Sequence, residues 1–357
     1  MTIEWLAGNR LRGTTAERPE YGLPSGSVGG WVEVARTTLG SNSSTFTVSS
    51  IPDKRYYFVL INPSFTNAGS GNTFRLGSGG SEDNGSNYTY RRNTNGGSDV
   101  TGINQSSGII PIGGYSTEHE LLTMHIANKS DKEKLCIHNR CYSIAGAGNA
   151  PLRIEQASKW TNTSNAIDMM KATLNSSGNF ASGTEIVVLG CDNDEADTGT
   201  NFWQELASVT ASGSSTNLSS GTITAKKYLW IQAQYSKSSN GTLTTTFNND
   251  TGSNYSFRKS TNGGSDSTFT SQASIAEGYS QSQIAFLNMF IINNTSNEKL
   301  VMAHTVLADG TGAGTAPTRI EYVGKWANTS NQITEIDLDS SGGNFDNHSM
   351  IKVWGAD

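Results

Sequence analysis

A chain of 357 residues is long enough for two domains of ordinary size, each with its own core. Charged residues make up only 16% and hydrophobic ones 34%, with Ser, Thr, Asn and 39 glycines in their place, a composition that suits short strands joined by polar turns. A net charge of −6 argues against a nucleic-acid partner, which needs a basic face, and no apolar run of 18 residues is present to span a membrane as a helix.

Residues 1–30 read as an extended docking arm. Trp5, Leu6 and Leu11 supply apolar anchors, and Arg10 and Arg12 suit an acidic partner surface. The acid Glu4 stands where a secretory signal carries a basic segment, so export by that route is not expected. A first domain is expected over 31–192. It opens on the alternating Trp31-Val-Glu-Val-Ala35 and Phe46-Thr-Val48, followed by the continuous apolar run Tyr56–Ile61, which reads as a central buried strand. Shorter strands follow at Phe74–Leu76 and Tyr88–Arg91, with Asn95-Gly96 as a strong hairpin signal. Then come Leu121–Ile126, Lys134–His138, a loop at Gly146–Pro151, and strands at Arg153–Glu155, Ala166–Met169 and Glu185–Leu189. An acidic linker fills 193–201, and a second domain fills 202–357 with strands at Tyr228–Ile231, Ala285–Ile292 and Leu300–Met302.

The second domain repeats the first. Gly85-Ser-Asn-Tyr88 recurs as Gly252-Ser-Asn-Tyr255, Lys159-Trp160-Thr-Asn162 as Lys325-Trp326-Ala-Asn328, and Ile186-Val-Val-Leu-Gly190 as Ile351-Lys-Val-Trp-Gly355, at offsets of 167, 166 and 165. Short strands at regular spacing without a helical period give the expected fold class. It is all-β, two tandem antiparallel β-sandwich domains of jelly-roll type, with the extended N-terminal arm.

Trp160 and Trp326, each beside an Asn-rich turn with Asn162 or Asn328, offer a glycan-stacking platform, or else a plug at the end of each sandwich. Tyr88, Arg91 and Asp99, with Tyr255, Arg258 and Asp266, line a polar groove or form the outer face of a hairpin. Cys136, His138 and Cys141, with His119 and His125, are zinc-ligand types. Their spacing completes no tetrahedral set, so no metal is expected. Three cysteines confined to the first half exclude a disulfide framework. No nucleophile elbow, His-Glu-x-x-His or phosphate-cradling loop occurs, so no cofactor and no enzymatic activity are expected.

The segments Leu6-Ala-Gly-Asn-Arg-Leu-Arg-Gly-Thr14, Ile51-Pro-Asp-Lys-Arg-Tyr-Tyr57, Gly85-Ser-Asn-Tyr88, Ala147-Gly-Asn-Ala-Pro151, Lys159-Trp-Thr-Asn-Thr-Ser-Asn165 and Ile186–Asp192 resemble virion structural proteins of marine tailed phages and related environmental viruses. The second copy departs from the pattern where Ala225-Lys-Lys-Tyr228 stands for Pro52-Asp-Lys-Arg55. The resemblance implies a non-enzymatic tail-fibre, appendage or capsid-surface protein. It would be located on the virion after assembly in the host cytoplasm, bound to other capsid or tail proteins; a Ser/Thr/Asn-coated sandwich without edge-protecting charges buries its edges by assembling, so a homo-oligomer is expected. A host-surface carbohydrate-binding module and a polysaccharide depolymerase are the alternatives.

Overall fold

The computed structural model describes residues 31–67, 72–108, 119–175, 178–191, 202–278, 284–308 and 313–357. The expected docking arm and the acidic linker lie outside them. In the first module the strands are β1 (Val32–Thr38), β2 (Thr45–Val48), β3 (Tyr56–Asn62), β4 (Thr73–Ser78), β5 (Ser81–Glu82), β6 (Tyr88–Thr94), β7 (Val100–Gln105), β8 (Glu120–Ala127), β9 (Lys134–Tyr142), β10 (Leu152–Trp160), β11 (Met169–Thr173) and β12 (Glu185–Cys191). The second module carries β13 (Gln204–Thr210), β14 (Asn217–Ser219), β15 (Tyr228–Tyr235), β16 (Leu243–Phe247), β17 (Tyr255–Thr261), β18 (Ser267–Gln272), β19 (Ile275–Gly278), β20 (Ala285–Ile292), β21 (Lys299–Leu307), β22 (Thr318–Trp326), β23 (Ile336–Ser340) and β24 (Met350–Ala356).

Each module is a long sheet over a short one. The first module's orders are β1-β12-β3-β8-β9-β10-β6-β7 and β2-β11-β4-β5, and the second's are β13-β24-β15-β20-β21-β22-β17-β18 and β14-β23-β16-β19. Neighbouring strands pair antiparallel throughout. Setting aside the pairs β6–β7 and β9–β10, the remaining strands of the first module form β1-β12-β3-β8 opposite β2-β11-β4-β5. First pairs with last and third with sixth, second with seventh and fourth with fifth, which is a jelly roll. The second module gives the same diagram with β19 as its fourth short-sheet strand. The fold class read from the sequence holds, and the strand order it left open is now fixed.

Local chemistry explains the edges. Asn95 and Gly96 sit at φ 53° and 68°, and Asn262 and Gly263 at 52° and 73°, the left-handed pair of a tight hairpin turn. A bulge in β1 between Glu33 and Ala35 recurs in β13 between Glu205 and Ala207. Opposite it stand Gly190 and Gly355, where a Cβ would lie 3.0 Å from Val34 Cγ1 and 2.5 Å from Leu206 Cδ1. The repeated glycine near each module's last strand end is therefore fixed by a side chain lying across it. The strand expected over Ala166–Met169 begins only at Met169. Before it, the chain is held by the Asn128 side chain, whose Oδ1 accepts from Ile167 N at 3.0 Å.

The apolar run Tyr56–Ile61 shows where the modules meet. Tyr57, Val59 and Ile61 face the first module's own core, while Phe58 and Leu60 face away from it. β12 divides likewise, Ile186 and Val188 inward and Val187 and Leu189 outward. These outward residues join Phe202, Trp203, Tyr228, Ile292, Leu300, Met302 and Trp354 in a third core between the two long sheets. Both faces of the central strands are buried, so their sequence is continuously apolar where a one-sided sheet would alternate. The molecule has four layers: short, long, long, short.

Candidate functional site

Two polar constructions stand out, one repeated in each module and one made between them. The repeated one begins at Asp83, two residues before Gly85. Its carboxylate accepts from Gly85 N (2.9 Å), from the Asn87 amide (2.9 Å) and from Trp160 Nε1 (2.6 Å). Tyr88 donates its hydroxyl to the carbonyls of Leu76 (3.0 Å) and Asp83 (3.1 Å). Lys134, the ladder partner of Trp160, donates to Asn162 O at 2.9 Å, and Asn162 Oδ1 accepts from Ser164 N and Asn165 N. The second copy matches it: Asp250 takes Gly252 N at 2.8 Å and Trp326 Nε1 at 2.6 Å, Lys299 donates to Asn328 O at 2.9 Å, and Asn328 caps Ser330 and Asn331. Burial opposes the charge on Asp83 and Asp250, but the indole N–H and the Asn amide hold both carboxyls below the usual range. Burial pushes the Lys299 ammonium down to about 8.

This geometry corrects the glycan-platform expectation. Trp160 and Trp326 are 1% exposed, so neither indole has a free face for a sugar ring, and Asn162 and Asn328 spend their side-chain oxygens on turn backbone. They are plugs. Tyr88 and Tyr255 are buried in the same plugs and line no groove. Asp83 and Asp250, which the sequence reading passed over, were signalled by the same Asp-x-Gly-Ser-Asn-Tyr spacing in both copies. Arg10, Arg12, Trp5, Leu6 and Leu11 lie outside the described residues.

The second construction joins the modules. Arg153 of β10 reaches across to Asp266 (2.6 Å) and Glu321 (3.2 Å) of the second module while holding Glu155 (2.6 Å) of its own strand. His304 Nε2 stands 3.8 Å from Glu155. Burial raises the cost of the Glu155 charge, yet His304 and Arg153 keep its carboxyl below the usual range. Nearby, Lys325 and Glu298 form a buried pair at 2.9 Å that also takes up Ser143 Oγ and Gly146 N of the first module. The 146–151 loop continues the clasp, with Ala147 O accepting from Ser271 N (2.7 Å), Asn149 O from Ser256 Oγ (2.7 Å) and Pro151 O from Arg258 Nε (3.2 Å). Asp266 thus pairs across the modules, while its counterpart Asp99 makes a surface pair with Arg91 at 3.4 Å.

Glu155, His304 and Glu321 have ligand atoms within 4.8 Å of one another, a carboxylate–imidazole–carboxylate set. Arg153 Nη1 already touches both acids and supplies the positive charge a cation would bring. Of the zinc-type residues of the first module, His119, Cys136, His138 and Cys141 are buried, while His125 lies exposed on β8, stacked on Phe58. Cys136 is buried with its thiol pushed up to about 12, and His138 Nε2 is spent on Ser158 Oγ at 2.6 Å.

No protein family and no curated protein matches this chain. Among solved structures, one titled "Crystal Structure of the STIV MCP" aligns over 91% of this chain and 96% of its own at 8% identity, with a TM-score of 0.15, a likeness that carries no inference.

Proposed function

We propose that the chain is a non-enzymatic structural component displayed on a viral particle, as a tail-fibre, appendage or capsid-surface protein, docked through residues 1–30 to other virion proteins and assembled with copies of itself. The observation that carries this reading is the use of tryptophan. All six tryptophans among the described residues serve the fold: Trp160 and Trp326 plug the sandwiches, and Trp31, Trp203, Trp230 and Trp354 pack in or against the core between the modules. A glycan-binding module spends such rings on an exposed face. The most elaborate polar cluster likewise serves as a clasp, with Arg153 neutralising the acids that a hydrolase would leave free. Jelly rolls occur in capsid proteins, lectins and cupins alike, so the fold is compatible with this reading without selecting it. The resemblance of the repeated motifs to virion proteins supports this reading over the others. In infected cells, full-length protein is expected to co-purify with particles. A chain lacking residues 1–30 is expected to fold, by circular dichroism, and to be missing from them. Incorporation of the truncated chain at the full-length level contradicts the docking arm.

A further inference from the structure

The face that joins the modules is only half used. On the outer side of the first long sheet, burial falls from one end of β8 and β9 to the other, and β10 is most exposed at Ala157. Leu121 and Cys141 are buried, Asn139 and Glu155 are half-buried, and Leu135, Ile137 and Ala157 are exposed. The second long sheet shows the same decline from Leu300 and Met302, through Glu321, to Val306 and Phe286. Leu135 and Ile137 are 57% and 61% exposed, and Phe286 and Val306 are 41% and 42% exposed.

Register shows what these exposed strips are. Lys134 pairs with Trp160 as Lys299 pairs with Trp326, which makes Leu135 and Ile137 the counterparts of Leu300 and Met302, and Cys141 the counterpart of Val306. Leu121 lies opposite Cys141 as Phe286 lies opposite Val306. Within the chain, the Leu121/Cys141 end of the first sheet is closed against the Leu300/Met302 end of the second. The unpaired ends are therefore the other halves of the same complementary pair, each carrying large apolar side chains at the matching positions. Cys141 Sγ lies 4.0 Å from Gly324 O, and Glu155 stands beside His304. Facing strands thus run in opposite directions, and both unpaired strips emerge on one side of the interface.

We infer that this side is a self-association surface. The Leu135/Ile137 strip of one chain takes the Phe286/Val306 strip of a second copy, repeating between chains the contact already made within each. An exposed apolar pair continuous with an existing interface is costly to leave in water, even flanked by His125 and Lys159 on one sheet and Gln234 and Arg319 on the other, and the partner that fits it is the one its counterpart already binds. This inference rests on the homo-oligomer part of the proposed function and names its surface.

Sedimentation velocity on the full chain tests it. Wild-type protein is expected to self-associate with rising concentration. Ile137→Lys and Phe286→Lys are each expected to remain folded and to weaken association by about tenfold or more. The decisive step is mixing. Each variant alone lacks one strip, but the two together restore one good contact, so a heterodimer should appear that neither forms alone. A wild-type monomer at every concentration, variants that associate like wild type, or failure of the mixture to pair overturns the inference. So does a chain that associates only after removal of residues 1–30, since the strip then belongs to its own N-terminal segment. Particle incorporation is read separately: a monomer found on particles sinks only this surface, and an oligomer absent from particles sinks only the virion reading.

Discussion

The two modules share every strand of the jelly roll and differ in how they fill the middle of the long sheet. In the first, the inward positions of β8 to β10 carry Glu120, His138, Arg140, Gln156 and Ser158, all buried. Most of their polar atoms are paired locally, Arg140 Nε on Glu120 at 2.9 Å and His138 Nε2 on Ser158 at 2.6 Å, while Gln156 Nε2 reaches Gly108 O at 2.6 Å. In the second, the matching positions are Ala285, Ala303, Thr305, Tyr322 and Gly324. Ile275 of β19 fills the space over Gly324, where an added Cβ would meet its Cδ1 at 2.8 Å. One topology is thus held by a buried polar network in one copy and by apolar packing in the other. Topology follows from strand order and turns, and core chemistry can drift beneath it provided most buried polar groups find a partner; His138 Nδ1 and Gln156 Oε1 are left without one.

The largest test of this comparison lies where the modules agree. Trp160→Ala and Trp326→Ala each remove a fully buried ring and strand an aspartate, so each is expected to cost about 3–5 kcal/mol in urea unfolding. Because the two plugs have the same bonds, the two losses should lie close together. A clear disparity would break the equivalence of the modules.

Where they differ, each buried histidine carries a smaller effect. Burial lowers His119 to about 4 and His138 to about 3. Both folded values lie below the unfolded imidazole value, so the unfolded chain takes up protons first. Stability is full above about pH 6.5 and falls as pH drops towards the folded values, by about 1.4 kcal/mol per pH unit for each histidine. The second module has Ile284 and Ala303 at these places and contributes no such loss. Denaturant unfolding from pH 7 to pH 4.5 checks this, and His138→Gln should flatten the slope by one proton. An unchanged slope would show that the buried imidazole is not the source.

The repeat and the all-β class were legible because period-2 alternation and Asn-Gly turns are local signals, whereas the jelly roll was the favoured topology with its strand order unread, since that order rests on pairings far apart in the chain. The plug was half legible. Its repeated Lys-Trp and Asn-rich turn were plain, but the partner Asp83 lies 77 residues from Trp160, and only folding brings them together. The core between the modules went unread, although Tyr56–Ile61 and Ile186–Leu189 carried its signature: a strand apolar on both sides needs something against both faces. Arg153 and Glu321 gave no signal and Asp266 was read only as part of a groove or hairpin face, because ion pairs between separate strands leave no spacing in the chain.

The two jelly rolls form one body, joined through a shared core and a buried clasp. Calorimetry of the whole chain near neutral pH measures this most directly. One endotherm, with calorimetric and van't Hoff enthalpies in agreement, is the expected result. Two resolved transitions, each with the enthalpy of a single module, would mean that the sandwiches only sit side by side.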